Sequence, residues 1–195
     1  EKIFKSGIND DNFNFILSEL GKAFDVSRTY IFRKTEENDE MVLLKQGYEW
    51  CADGVFSASD VLEVDNFVIQ KDSAFYRKVR KFIADGYMIG YASEMDNEYE
   101  NYLMEVQKLR SYLFISVFVN NAWWGMIGFD ECKYERNWHQ YEIQALSTVS
   151  NIIGGAIQQH LTEKELADNR QLYFTLVNSS PDSVSVTDLQ GNLIF

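Results

Sequence analysis

Apolar residues recur at helical spacing at both ends of the chain and cluster or alternate in its middle, which divides the sequence into elements. Phe13, Ile16, Leu17, Leu20 and Phe24 mark one face of a helix that Asp10 and Asp11 open and that ends near Asp25. Residues 28–34 and 41–52, rich in Tyr, Ile and Phe, predict an antiparallel hairpin around the acidic loop 36–40, with Asp53-Gly54 ending its second strand. Residues 55–70 are weakly patterned and predict loop or irregular strand. Phe75, Val79, Phe82 and Ile83 then share one face of a short helix that stops before Gly86, and residues 87–91 follow as a short strand. A further helix, opened by Asp96 or Asn97, carries Tyr99, Tyr102, Leu103, Val106 and Leu109.

Residues 112–119 and 122–130 predict a second hairpin, turned by Asn120-Asn121, a pair that tolerates positive φ. Gly125 and Gly128 mark places where some backbone approaches closely. The last helix starts near residues 137–139, with Glu142 placed as a capping-box acid for His139. It bears two apolar stripes, Ile143, Leu146, Ile153, Ile157 and Leu161 on one side and Ala145, Val149, Ile152 and Ala156 on the other. A run to Gln171 would be about 50 Å long at 1.5 Å per residue, more than one core covers. One stripe is therefore expected on the sheet and the other against a second copy, with Val149, Ile152, Ala156 and His160 as candidate dimer contacts. Gly154-Gly155 suits close approach, either of a partner helix or of the protomer's own sheet. The element order predicts an α+β fold: an antiparallel sheet with helices on both faces and a long C-terminal helix.

Composition narrows the function classes. The formal charge of -12 repels nucleic-acid phosphates and anionic lipid headgroups, so neither nucleic acid nor a membrane surface is expected as a partner. Cys51 and Cys132 are isolated, without CxxC or Cys/His spacing, which predicts reduced thiols, no metal site and a cytoplasmic setting. No apolar run approaches the length of a membrane span, and the polar, acidic start is no signal peptide, although a longer parent could still span a membrane. No GxSxG, P-loop, HExxH or Rossmann glycine pattern occurs, so no catalytic residue is expected.

The strings VSRTYIF at 26–32, YEWC at 48–51, LRSYL at 109–113 and WWGMIGFD at 123–130, followed by residues 138–146, resemble in this order the GAF domain of bacterial and archaeal signalling proteins. The resemblance is to members found in sensor histidine kinases and cyclic-dinucleotide signalling proteins. It implies a GAF sensory domain over residues 1–162 and a helical linker over 163–173. Residues 174–195, within the string LYFTLVNSSPDSVSVTDLQGNLIF, resemble the opening of a PAS domain, incomplete at its end. A GAF followed by a PAS implies a multidomain sensor, with a kinase as its output further along the chain.

Where such domains bind ligands, the resemblance implies a pocket between the sheet and the middle helices, which makes Tyr48, Trp50, Tyr87, Tyr91, Phe114, Ser116 and Phe118 the candidate lining. The alternative is that these aromatics simply fill a core. Bilin-binding members attach the chromophore through a cysteine usually followed by histidine, and no Cys-His pair exists here. The Asn-Lys that accompanies Phe129-Asp130-Glu131 in cyclic-nucleotide members is missing, and His139 and His160 sit at or on the last helix, where no haem pocket is expected. His160 lacks the acid and proline that follow a kinase phosphoacceptor. No cofactor is predicted. The expected function is sensing of a small molecule or dimerisation, relayed through the last helix to the PAS domain. The alternatives are a ligand-free dimerisation module, the sensory part of a cyclic-dinucleotide protein, and, last, a cysteine-based sulfoxide reductase.

Overall fold

The computed structural model describes residues 10–58, 66–95, 98–179 and 189–190. Its contacts divide the chain into two compact units, Glu1–Gln158 and Gln159–Phe195. In the first unit, α1 (Asp10–Ala23) leads into β1 (Arg28–Glu37), β2 (Met41–Cys51) and β3 (Phe67–Gln70). Then come α2 (Ala74–Asp85), β4 (Tyr87–Tyr91), a 3-10 turn (Ala92–Glu94), α3 (Glu98–Val106), β5 (Ser111–Val119) and β6 (Ala122–Glu131). Helix α4 (Gln140–Ser179) begins in this unit. The six strands form one antiparallel sheet in the order β3-β2-β1-β6-β5-β4.

β1 lies between β2 and β6, and residues 28–32 are buried whichever way they point, the polar Arg28 and Thr29 along with Tyr30, Ile31 and Phe32. Alternate side chains divide the interior into two layers. Ile31, Leu113, Ile115, Val117, Ile127 and Phe129 pack with α1 and the first turns of α4. Tyr30, Phe32, Leu44, Ile69 and Met126 pack with Val79 and Phe82 of α2 on the opposite face.

Local chemistry sets the element ends. The Ser73 hydroxyl accepts from the Tyr76 N–H at 3.0 Å to open α2, and Gly86 closes it at φ 82° with its N–H on the Phe82 carbonyl. Asn120 and Asn121 both hold positive φ, 51° and 59°, as a two-residue hairpin of the primed type requires. At the start of α4 the His139 N–H donates to the Glu142 carboxylate at 2.8 Å. Arg136 donates to the same carboxylate at 2.6 Å, stacks over Trp138, and ties the helix start to the Asp25 carbonyl after α1. Burial alone would raise the Glu142 pKa, but these two donors hold it below its ordinary value.

The two stripes of α4 separate within this unit. Ile143, Leu146, Ile153 and Ile157 are buried on the sheet, Val149 is half-buried, and Ala145, Ile152 and Ala156 face outward, Ile152 at 66% exposure. The glycine pair separates too. A methyl group on Gly154 would stand 2.3 Å from the Phe118 carbonyl, whereas one on Gly155 would meet nothing within 4 Å.

In the second unit α4 continues to Ser179 with nearly every described side chain exposed, including Leu166, Leu172, Tyr173 and Leu176; Leu161 is also exposed and His160 is half-buried. The expected PAS strands fall on residues that, apart from the turn at Leu189 and Gln190, lie outside the described ones, as does the expected start of α3 at Asp96 or Asn97. No helix among the described residues is long and apolar enough to cross a membrane.

Candidate functional site

The layer between the sheet and α2 and α3 is not filled. It holds a cavity of about 200 Å³. The sheet contributes Tyr30, Phe32, Leu44, Gln46, Phe114 and Met126 to its floor. Helix α2 supplies Phe75, Val79 and Phe82, α3 supplies Glu100 and Met104, and the chain after α3 supplies Gln107 and Leu109. Met88, Met95, Tyr112 and Trp123 complete much of the remaining wall. The aromatic rings contact one another edge to face, as in Phe82 with Phe114 and with Trp123, and Tyr112 stacks on Phe114 at 4.3 Å. Two glycines make room for the tyrosines: the Tyr112 ring lies over Gly90 and the Tyr30 ring over Gly128, where a β-carbon would overlap either ring. At Gly125 the group in close approach is the Phe32 carbonyl.

Two residues of this wall each carry a buried polar atom without a hydrogen-bond partner, the Gln46 Oε1 acceptor and the Trp123 Nε1–H donor. An unpaired buried group costs about 1–3 kcal/mol, and each of these atoms, with no room for a water beside it as the cavity stands, would gain a partner where a ligand's polar atom moves its neighbours aside. Glu100 is paired, with both oxygens 2.8 Å from Lys78 Nζ. Burial, reinforced by Glu100 and Asp130, pushes the Tyr112 phenol up and keeps it neutral.

Beneath the cavity lies a buried charge network. Arg28 and Asp130 are fully buried and joined at 3.1 Å and 2.7 Å through Nε and Nη2. The Tyr30 hydroxyl donates to the other Asp130 oxygen at 2.9 Å, and Gln107 accepts from Arg28 at 3.3 Å, so two lining residues hold on to the pair. Burial raises the Asp130 carboxyl against the pull of Arg28; burial also disfavours the Arg28 charge, but the charge and hydrogen bond of Asp130, with Cys132 and Tyr30, together outweigh it and keep Arg28 protonated. Along the same strand end, the Ser27 hydroxyl donates to Glu131 and accepts from the Cys132 N–H. From there eight residues lead to α4.

Of the seven residues expected to line a pocket together, Phe114 lines this cavity and the others do not. For Tyr48 and Trp50 a strand irregularity is the reason. Phe32 pairs with Gln46 and Ile31 with Tyr48, so Gly47 bulges out of β2 and Tyr48 and Trp50 turn to the α1 layer. There Tyr48 stacks on Phe13 at 5.2 Å, and Trp50 lies over Gly21. Tyr87 packs in that layer as well, and Tyr91 falls on the same side by alternation. Ser116 is buried outside the cavity lining with an unpaired hydroxyl, and Phe118 is 38% exposed. A second bulge does the opposite for Trp123: Val117 pairs with Gly125 and Phe118 with Trp123, which leaves Trp124 as the extra residue and aims Trp123 into the cavity. Sequence reasoning missed Gln46 and Trp123. A lone amide in an apolar strand and a Trp-Trp pair before glycine were the available signals.

The GAF domain family matches residues 10–157. The chain belongs to the GAF domain family. Among curated proteins it is similar to the methanogenesis regulatory histidine kinase FilI of Methanothrix harundinacea (strain 6Ac), 32% identical over 157 residues, which is 77% of this chain and 17% of FilI. The chain thus spans less than a fifth of that relative. Solved GAF structures share the fold at low identity. The blue-light absorbing form of the Thermosynechococcus elongatus PixJ GAF domain has a TM-score of 0.64 at 14% identity, over 83% of this chain and 92% of that one. The photoproduct state of GAF3 from Slr1393 of Synechocystis sp. PCC6803 has a TM-score of 0.64 at 16% identity, over 81% and 99%. The cysteines of the present GAF domain stand apart from its cavity wall. Cys51 reaches the Phe56 carbonyl and Cys132 sits beside Ser27, and burial pushes the Cys51 thiol up to about 11. Among the described residues no group of three or more His, Cys, Asp or Glu is placed to hold a metal ion.

Proposed function

We propose that this chain is the sensory GAF domain of a longer signal-transduction protein, that it binds a small molecule in the cavity between the sheet and α2 and α3, and that it relays occupancy through α4 to a following PAS domain and a kinase. The observation that carries this reading is an aromatic cavity in which two wall residues, Gln46 and Trp123, each hold a buried polar atom without a partner. The similarity to a regulatory histidine kinase supports the kind of output. A route to α4 is available: Tyr30 and Gln107 grip the Arg28–Asp130 pair, and β6 runs from Asp130 toward the Arg136–Glu142 clasp at the helix start. A ligand that prefers one setting of this network shifts the helix only by its difference in affinity for the two settings. The GAF neighbours in the blue-light and photoproduct states are photoreceptors, but a covalent tetrapyrrole does not suit this chain, because neither thiol lies on the cavity wall and about 200 Å³ is too small for four pyrrole rings.

Native mass spectrometry of the protein as purified tests the reading. A retained small molecule that is lost in the cavity-filling variant Val79→Phe is expected; protein that carries nothing and melts at an unchanged temperature with every metabolite offered would count against it. A second reading, dimerisation without a ligand, is favoured by the outward apolar residues Phe15 on α1 and Ile152 on α4, exposed at 65% and 66%. In our proposal the two coexist, with a second copy of the chain covering that face.

A further inference from the structure

On the reading of the cavity as the sensory site, we infer its ligand class: an uncharged, flat molecule of one or two rings that offers one hydrogen-bond donor and one acceptor.

Size sets the first limit. An apolar cavity of about 150 Å³ takes benzene, so about 200 Å³ admits a single substituted ring or a compact fused pair. Charge sets the second. Among the described wall residues there is no Lys, Arg or His, and the one carboxylate, Glu100, is already answered by Lys78. The buried cation Arg28 is not part of the wall: it pairs with Asp130 and Gln107 and leaves Nη1 buried and unpaired. An anion would therefore leave water for a wall that holds a carboxylate and no cation, and a cation would have to displace Lys78. A neutral molecule meets neither cost.

Shape and polarity sharpen the class. Four of the chain's five methionines, Met88, Met95, Met104 and Met126, lie on the wall among the phenylalanine rings. Thioethers and ring edges make their best contacts with a π-system. Gln46 Oε1 calls for a donor from the ligand, and the Trp123 indole N–H, on a side chain more than nine-tenths buried, calls for an acceptor. A ring amide or lactam carries both.

Isothermal titration with matched probes tests this. Benzamide and 2-quinolone supply a neutral ring with donor and acceptor; benzoate keeps the ring and adds charge; cyclic AMP is a larger anion. Benzamide or 2-quinolone is expected to bind saturably and at least tenfold more tightly than benzoate. Gln46→Leu and Trp123→Phe should each weaken that binding about tenfold, with ligand-free melting confirming that both variants are folded. Benzoate or cyclic AMP binding as tightly as the neutral probes, and blocked by Val79→Phe, would overturn the ligand class and leave the sensory cavity standing. If none of the probes binds, a molecule retained through purification decides the class: a neutral ring upholds it and an anion or open chain overturns it. Failure of every probe together with a bare protein in native mass spectrometry overturns both the class and the sensory reading.

Discussion

Arg28 and Asp130 show what a single residue carries here. Each is fully buried and charged, and each is tolerated because the other, with Tyr30 and Gln107, answers most of its hydrogen-bonding groups; Arg28 Nη1 is left buried and unpaired. Removing one partner strands the other in a medium of low dielectric, so Asp130→Ala is expected to cost about 3–5 kcal/mol in urea unfolding, far more than an average substitution. A loss under 1 kcal/mol would mean that the pair is solvated. Cys51 offers a gentler test. With its folded pKa pushed from 9.0 to about 11, its thiolate population at pH 8 falls about a hundredfold below that of an ordinary thiol, and alkylation by iodoacetamide should slow in proportion. The sign on stability follows: a raised pKa means that the neutral thiol's advantage is complete below pH 9 and is lost as the pH rises toward 11. At this scale the sequence was only partly legible. Phe114 reaches the expected cavity, whereas Tyr48 and Trp50 are turned away by one bulged glycine, Gly47. A bulge reverses every subsequent side chain, and nothing in a period-two pattern announces it.

Among the elements, α4 separates local from tertiary demands most clearly. Gly154 and Gly155 are adjacent and equally poor helix formers, yet only Gly154 faces the sheet. Gly155→Ala should stabilise the domain by roughly 0.5–1 kcal/mol, while Gly154→Ala should destabilise it by about 1–3 kcal/mol as the helix is pushed off the Phe118 carbonyl. Equal effects in thermal unfolding would contradict the placement. The cap of α4 makes a pH-dependent contribution. Glu142 has a lowered folded pKa, so its contribution is present above its unfolded value of 4.5 and is lost as the pH falls through the folded value. Glu142→Ala is therefore expected to cost roughly 1–2 kcal/mol at pH 7 and progressively less below pH 4.5. Hairpin turns, the C-terminal end of α2 and the sheet-facing stripe of α4 as far as Ile157 could be read from sequence, because each follows from neighbours within a few residues. β3 could not: four residues at the sheet edge, Phe67–Gln70, have too short a pattern to stand out and are held by pairing with β2.

At the scale of the molecule, two layers with different contents lie on the two faces of one sheet. The α1 and α4 layer is filled by aliphatic and aromatic side chains, and the α2 and α3 layer keeps a cavity. The α+β architecture was legible because the order of helices and hairpins admits few arrangements. Which layer would be hollow was not, since aromatics were distributed over every strand and only the register assigns them. The outward residues Phe15 and Ile152 lead to the expectation of a homodimer at micromolar concentration in sedimentation, weakened by Ile152→Asp without loss of fold; a monomer in both proteins would contradict it. The central claim is that the α2 and α3 cavity is built for a ligand, and the indole N–H of Trp123 reports on it directly. Its NMR resonance should move when benzamide or the natural ligand is added to stripped protein, and Gln46→Leu should demand more ligand for the same movement. An indole signal that stays fixed from protein as purified, through stripping, to saturating probe would show that nothing enters the cavity, and would contradict the account.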